Sequence, residues 1–347
     1  MLFTAYYVRI TDILSKVVVT RQTQSNFALR GVFNCVGKRE KFVKKKQGLS
    51  KCALAFAALI WGAGFSFSQM ALDAGFGVSA LLVGKFGTAA VLSGIVFHRA
   101  IREHMSWRLL RKVVPVGIVL ILSFYAQTYG LQLSTPSNCA FITAAYVVIT
   151  PLLWRIVFRT KPPRSAYFAS VVCFVGVVTL SVELTGGISF RVGDIFTLVC
   201  AVLFAVQIVA SEALVEGIDF RVLMFVQFAT AAVVAIAVFF ITERDFSAIL
   251  TAKGFGSIAY LGVGSTFLCY NIQTAAQRYV NSNTAALLLS LEALFGVIFA
   301  VIIGYDAPSL KLFLGGGLIL LPIILPELVH VLRHNKSSET QSSDATP

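Results

Sequence analysis

Two ionisable residues lie far inside long apolar runs of the sequence. Lys85 stands in the run 79–97, about 10 Å along a helix from its nearer end, and Glu292 stands about 12 Å inside the run 284–304. A charge in such surroundings is costly, so it is usually functional or paired. Lys85 could anchor a negatively charged group, and Glu292 could carry a proton. A structural ion pair between the two is the alternative that the sequence leaves open.

Amide and aromatic side chains on neighbouring runs form a second set of candidates. A buried amide needs hydrogen-bond partners, and bonding between helices is its commonest use in membranes. Interhelical packing therefore stays the alternative for any one of them. The residues assigned to a substrate and coupling site beside Lys85 and Glu292 are Trp61, Tyr125, Gln127, Tyr270, Asn271 and Gln273, and two further amides are Gln207 and Gln227.

The sequence contains no recognisable catalytic or metal-binding motif. The six cysteines are scattered singly without metal-ligand spacing, so they are interpreted as small packing residues. The histidines stand at the ends of runs, as loop histidines do: His98, His104, His330 and His334. No Walker loop, HExxH motif or Ser–His grouping is present. The sequence therefore predicts no metal, no cofactor and no enzymatic activity.

These candidates must be positioned by membrane-spanning helices. Of the 347 residues, 57% are hydrophobic and 13% are charged, against roughly 25% charged in a soluble domain. The apolar residues fall into runs of about 20, the length of helix that crosses a bilayer core, and they lack the period-two alternation of a membrane barrel. The ten runs are 52–72, 79–97, 113–133, 138–158, 166–184, 195–215, 222–242, 254–277, 284–304 and 312–332. We predict an all-α polytopic membrane protein with ten transmembrane helices.

Charged residues near the run ends set the expected orientation. Eleven of the 29 Lys and Arg residues lie in positions 1–51, and others follow the second and fourth runs, whereas 73–78 and 134–137 hold none. This positive-inside pattern predicts two cytoplasmic termini in the plasma membrane, with an organelle membrane left open. Because the net charge of +13 follows this pattern, no nucleic-acid partner is expected. The other charges within runs, expected to reach the headgroups from run ends, are Arg155, Glu183, Glu212 and Glu327.

A polar segment occurs twice in the chain. Residues 125–141, YAQTYGLQLSTPSNCAF, match 270–286, YNIQTAAQRYVNSNTAA, at a constant offset of 145 positions that pairs Asn138 with Asn283. Fixed-period similarity of this kind indicates duplication. Because each half holds five helices, the second half must enter the membrane from the opposite side, which gives an inverted repeat. Asn138 and Asn283 are then predicted gate hinges on opposite faces.

The predicted organisation has four parts. They are a basic tail over 1–50, a first repeat over 52–184, a second repeat over 195–332 and a disordered polar tail over 333–347. The basic tail loosely resembles an organelle transit peptide. A basic arm on anionic lipid, or sequence upstream of the true start codon, is the plainer interpretation.

Three segments resemble EamA-type proteins of the drug/metabolite transporter superfamily. LIWGAGFSFSQMAL resembles the first helix, CAFITAAYVVITPLLWRIVFR the fourth, and YNIQTAAQRYVNSNTAALLLSLEALFGVIFAVIIGYD the eighth and ninth. The resemblance covers about residues 52–330 and implies two five-helix repeats that move small organic solutes. Lys85 stands where the family commonly has Arg, and Ala293 follows Glu292 where it commonly has Pro, so no proline breaks this helix.

The expected function is secondary transport of small organic metabolites such as amino acids, with export as the expected direction and alternating access between the repeats. The partners are a small-molecule solute and the lipid bilayer, and a homodimer stays open. The alternatives are a nucleotide-sugar or sugar-phosphate exchanger, which would need several basic residues in its cavity, and, from other classes, a channel or a membrane enzyme.

The predicted orientation can be tested by labelling single cysteines. Segments 98–112 and 159–164 should be cytoplasmic, and 134–137 and 243–253 should lie outside. A membrane-impermeant thiol reagent applied to intact cells should therefore label Thr135→Cys and leave Met105→Cys unlabelled. The reverse pattern would show that the orientation is wrong.

Overall fold

The computed structural model describes residues 25–181 and 192–307, with a few positions between 314 and 322. Contacts divide the chain into two units, residues 1–49 and 50–347. In the first unit the described residues, from Ser25 onward, are helical.

All regular structure in the described residues is helical. The segments are labelled α1 (Ser25–Asp73), α2 (Val78–Val96), α3 (Trp107–Gln132), α4 (Pro136–Thr143, then Tyr146–Phe158), α5 (Arg164–Ser181), α6 (Val192–Val215), α7 (Phe220–Thr242), α8 (252–276) and α9 (Ser282–Leu289, then Leu291–Ile303). A short helix, His98–His104, joins α2 to α3, and a 3-10 turn, Ser247–Leu250, precedes α8.

Seven of these segments are long and apolar enough to cross a membrane: Lys45–Asp73 of α1, and α2, α3, α4, α6, α7 and α9. In α5 the apolar stretch is shorter, Arg164–Gly176, and α8 is interrupted by a π-helical stretch, Tyr260–Leu268. The chain is thus an all-helical, multi-pass membrane protein. The tenth predicted run, 312–332, lies largely outside the described residues, so the count of ten stays a prediction.

Helix starts are fixed by side chains that cap free backbone N–H groups. Thr135 caps α4 by accepting from Asn138 N at 3.3 Å, and Pro136 occupies the first turn, where a missing N–H does no harm. At the corresponding place in the second half, Asn281 caps α9 by accepting from Thr284 N at 2.9 Å. The duplicated polar segment therefore forms the same local structure in both halves, a turn followed by a capped helix.

Helices α4 and α9 are both broken in the middle. Their second parts, Tyr146–Phe158 and Leu291–Ile303, are shifted by the repeat offset, and both end at left-handed residues, Arg159 (φ 52°) and Gly304 (φ 93°). The sequence has Ala293 where related proteins commonly have proline, and no break was expected there. The structure shows that α9 is nevertheless broken. Its turn is stabilised by Ser290, whose Oγ donates to Leu287 O at 2.7 Å.

Helices of each half pack against helices of the other half. Helix α3 packs against α6 and α7, while α8 packs against α2 and, through a bond from Trp61 to Ser265 O, against α1. In the same way α4 contacts α6, and α9 contacts α1, where a Cβ on Gly62 would lie 2.5 Å from Phe295 Cβ. These contacts of α3 and α4 with the other half are thus repeated by their counterparts α8 and α9, as a two-fold axis between the halves would require.

The start of α2 is capped from another helix. Its N-cap residue, Gly77, provides no side chain, and the Glu243 carboxylate accepts instead from Ser79 N at 2.9 Å and Ala80 N at 2.8 Å. A carboxylate is favourable at this end of a helix because of the helix dipole. Glu243 follows α7, so the contact joins the equivalent second helices of the two halves.

Removing this cap should destabilise the fold. Glu243→Ala leaves two N–H groups without their acceptor and should lower the free energy of unfolding by about 1 kcal/mol. Thermal unfolding in detergent can be followed by reaction of the buried thiols of Cys139 and Cys200 with a fluorescent maleimide. Glu243→Gln retains one acceptor oxygen and should unfold between parent and Ala variant. Equal unfolding temperatures for all three would show that the cap contributes nothing.

Candidate functional site

The described helices surround one cavity that brings most of the predicted site residues together. Its empty volume is about 620 Å³, counted out to its open side, and it is lined from α1, α2, α3, α4, α6, α8 and α9. The predicted residues that line it are Trp61, Lys85, Gln127, Tyr270, Gln273 and Glu292. These six come from five helices and both halves of the chain.

Four predicted residues lie off the cavity wall. Tyr125 stacks on Tyr129, with ring centroids 6.3 Å apart, and Asn271 donates to Phe267 O within its own helix at 2.7 Å. Asn138 and Asn283 stand in the first turns of α4 and α9. Both polar atoms of the Asn283 amide are buried without a partner.

Lys85 is buried against an aromatic ring. Its ammonium lies 3.8 Å from the centroid of the Phe124 ring, and only 4% of the residue is exposed. A ring face attracts a cation, and the attraction increases when the cation is desolvated. The ring thus gives the ammonium partial compensation for the loss of water.

Glu292 borders the same cavity from the opposite half. It is 6% exposed and belongs to the first turn of Leu291–Ile303, just after the break at Ser290. The positive end of this short helix favours a carboxylate there. Lys85 and Glu292, both among the described residues, form no ion pair with each other. The Lys85 nitrogen and the Glu292 carboxyl oxygens lie more than 4.0 Å apart. The ammonium and carboxyl groups both face the cavity in this conformation without direct contact.

Aromatic rings make the rest of the wall largely apolar. Trp61 packs on Tyr270 at 4.9 Å between centroids, and Phe124 packs on Phe204 at 5.1 Å and on Tyr270 at 6.1 Å. The Trp61 indole donates to Ser265 O at 2.6 Å. Ser265 lies within the π-helical stretch of α8, a geometry that departs from the ordinary α-helical hydrogen-bonding pattern and often marks functional sites.

Two lining amides have unused hydrogen-bonding capacity. Gln207 Oε1 and Gln273 Nε2 are buried without a hydrogen-bond partner in the structure. A buried polar atom without a partner costs free energy, so such atoms usually await a ligand or water. They supply an acceptor and a donor on the wall between Lys85 and Glu292.

Phe124 and Gln207 are among the wall residues that were not in the predicted site. Phe124 looks like any core phenylalanine, although its spacing from Gln127, Thr128 and Leu131 places all four on one face of α3. Gln207 was recognised as a buried amide but not assigned to the site. Its Nε2 bonds to Gln227 Oε1 at 3.2 Å, which is the packing alternative, while its Oε1 is left without a partner.

The prediction for Glu212 was wrong. It was expected to reach the headgroups from the end of its run, but only 9% of it is exposed. Its carboxylate accepts from Trp154 Nε1 at 3.1 Å, from Ser282 N at 2.8 Å and from the Ser282 hydroxyl. These donors come from α4, which carries Trp154, and from Ser282 at the start of α9. Arg155 is exposed as expected, and Glu183 and Glu327 lie outside the described residues.

Two matching sets of helices surround a mostly apolar cavity that has an open side and a few polar groups, an arrangement typical of membrane transporters. A family model for the EamA-like transporter family matches the chain twice, over residues 49–182 and 191–326. The chain belongs to this family, which is part of the drug/metabolite transporter superfamily.

Similar proteins carry the same general description. An uncharacterized transporter of Archaeoglobus fulgidus is 27% identical over 304 residues, which cover 85% of this chain and 93% of the relative. One from Haemophilus influenzae is 23% identical over 109 residues, 31% of this chain and 64% of that protein. A solved crystal structure has the same fold, with a TM-score of 0.64 at 15% identity over 81% of this chain and 97% of the other.

The two hinge asparagines are expected to govern the rate of transport. Asn138→Leu and Asn283→Leu each remove an amide from the first turn of a helix that follows a predicted hinge. Each should slow transport in proteoliposomes, while expression and the elution volume in detergent stay near those of the parent. If transport is unaffected by either change, the repeated hinge serves packing alone.

Proposed function

We propose that the protein is a secondary transporter of small organic solutes and that the cavity between its two repeats binds the substrate. The observation that carries this proposal is the pair of ionisable residues, Lys85 and Glu292, which border one cavity without forming an ion pair with each other. A zwitterion such as an amino acid fits this arrangement. Its carboxylate would bind Lys85, and its ammonium would bind Glu292.

The rest of the wall supports the same class of substrate. Aromatic rings offer an apolar surface for the body of the solute, and the partnerless atoms of Gln207 and Gln273 can bind its polar groups. A substrate that pairs with both charges also neutralises them during the crossing. We assign no catalytic role to these residues.

The proposed cycle is alternating access between two inverted five-helix repeats, ten helices in all. The matching breaks in α4 and α9 and the exchanged helix packing support this arrangement. We further propose cytoplasmic termini on the basis of the basic residues, with the plasma membrane as the site and export as the direction.

Exchange of nucleotide sugars or sugar phosphates is the second candidate. A phosphate-bearing substrate requires several cations at its site. In the part of the chain that the structure describes, Lys85 is the only cation that lines the cavity. This favours the zwitterion.

Substrate class can be tested by counterflow in proteoliposomes. Vesicles loaded with a mixture of unlabelled amino acids should accumulate at least one radiolabelled amino acid, and vesicles loaded with nucleotide sugars should not accumulate labelled nucleotide sugar. Lys85→Ala should weaken substrate binding by roughly tenfold or more, the loss expected for a hydrogen bond to a charged group. Lys85→Arg keeps the cation and should retain most activity. Accumulation of nucleotide sugars alone would contradict the proposal.

Glu292 is the proposed proton carrier of the cycle. Because a carboxylate in low-dielectric surroundings is costly to leave charged, it can take up and release a proton as its surroundings change. Glu292→Gln should abolish uptake driven by a pH gradient, while counterflow without a gradient survives with weaker substrate binding, since the amide oxygen still accepts a hydrogen bond from the substrate ammonium. Glu216→Gln, at an exposed carboxylate just beyond α6, is the matched control and should behave like the parent. If Glu292→Gln still uses the gradient, the carboxylate is structural.

A further inference from the structure

The duplication places Gln69 and Glu212 at equivalent positions. At an offset of 143 the end of α1, SQMALD over 68–73, falls on the end of α6, SEALVE over 211–216, so that Gln69 corresponds to Glu212. The two hinges correspond at an offset of 145. Below, hinge one is the segment 134–138 between α3 and α4, and hinge two is the segment 278–283 between α8 and α9. The ends of α1 and α6 therefore stand beside equivalent hinges at opposite ends of the bundle.

At hinge two, hydrogen bonds join the end of α6 to the hinge. Ser282 donates to the Glu212 carboxylate through both its backbone N, at 2.8 Å, and its hydroxyl. The Ile208 carbonyl, one turn earlier on α6, accepts from Gln277 Nε2 at 2.9 Å and from the Ser282 hydroxyl at 3.3 Å. Trp154 adds a third donor to Glu212. These bonds hold α6 against hinge two and close that end of the cavity.

At hinge one the equivalent contacts are not made in the described structure. Ser137, the counterpart of Ser282, donates to Asp306. Gln69 donates to Asp73 at 2.9 Å, and its Oε1 is buried without a partner. Gln132, the counterpart of Gln277, is exposed. Gln69 therefore has an unused acceptor near the hinge whose serine is bound elsewhere.

The two ends of the cavity also differ in how deeply equivalent residues are buried. Ser68 of α1 lines the cavity and is half-buried, whereas its counterpart on α6, Ser211, is completely buried. The cavity thus extends toward hinge one and is sealed toward hinge two. One sequence pattern, present twice, is found here in two different conformations.

We propose that Glu212 and Gln69 are alternate latches of the transport cycle. In the conformation described here, Glu212 holds Ser282 and keeps the hinge-two end closed. In the opposite conformation the hydrogen bonds between Ser282 and Glu212 are broken. Gln69 then replaces Asp306 as the acceptor for the Ser137 hydroxyl, and the hinge-one end closes. The assignment rests on the proposed function in that it supplies the contacts that alternating access between the repeats needs.

The two latches are of unequal strength. Glu212 is a carboxylate, and hydrogen bonds to an ionised acceptor are roughly twice as strong as those between neutral groups. Gln69 is neutral, and the counterpart of Trp154 at the repeat offset is Phe299, which has no donor. The hinge-two latch is therefore the stronger one, and the conformation with that end closed is the resting state.

Accessibility of a matched pair of cysteines tests the assignment. Ser68→Cys and Ser211→Cys are near-isosteric changes at equivalent positions, each made in a background whose native cysteines are replaced by alanine. In nanodiscs, where both faces meet the solvent, a methanethiosulfonate reagent should label position 68 quickly and position 211 slowly. The rate at each position reports how often its end of the cavity is open.

Weakening the hinge-two latch should shift both rates. Glu212→Gln and Ser282→Ala should each raise labelling at 211 by roughly tenfold, the loss expected for a charge-assisted hydrogen bond, and lower labelling at 68. Asp306→Ala frees Ser137 for Gln69 and should lower labelling at 68 as well. Glu216→Gln is the matched control and should leave both rates unchanged. Elution as a single peak in detergent shows that each variant is folded.

The outcomes separate this assignment from the proposed function. If the parent transports amino acids but none of the three variants changes either rate, the latch assignment is wrong and the substrate assignment stands. If the rates shift as expected but no amino acid is transported, the latches are supported and the substrate class is wrong. A rise in labelling at 68 with Glu212→Gln would also overturn the assignment, since it reverses the predicted direction.

Discussion

No water reaches the backbone of a helix in the bilayer core, so every polar group there must find a partner within the protein or face a cavity. This constraint decides where the chain can depart from a regular helix. The break in α9 is stabilised by Ser290, and the π-helical stretch of α8 offers Ser265 O to the Trp61 indole. These two irregular parts lie where helices α1, α8 and α9 meet around the cavity.

Much of the site could be predicted because a charge or an amide stands out in an apolar run. Lys85, Glu292, Gln127 and Gln273 were found this way, and all four line the cavity. Phe124 could not be recognised, since a phenylalanine that holds a cation has the same sequence signature as one in a core. The helices themselves were predictable for a related reason, because their length and apolar content follow from the thickness of the bilayer.

The failures concern contacts between segments distant in the chain. Glu212 stands near the end of its run, where a free path to the headgroups is the ordinary outcome, and only the folded hinge brings Ser282 over it. The break in α9 was likewise hidden, since it depends on a serine and not on a proline. Sequence patterns report how each helix sits in the membrane, but which groups meet across helices depends on the packing of the whole bundle.

The contact between Lys85 and the Phe124 ring has a consequence for turnover. A desolvated cation–π contact is worth about 2 kcal/mol, whereas removing one partner of a buried ion pair costs about 3–5 kcal/mol. In the proposed site, an ammonium that rests on a ring would accept an anionic group and later give it up with only a small change in free energy. A site built this way favours frequent exchange over long residence, and modest affinity is then a property of its design.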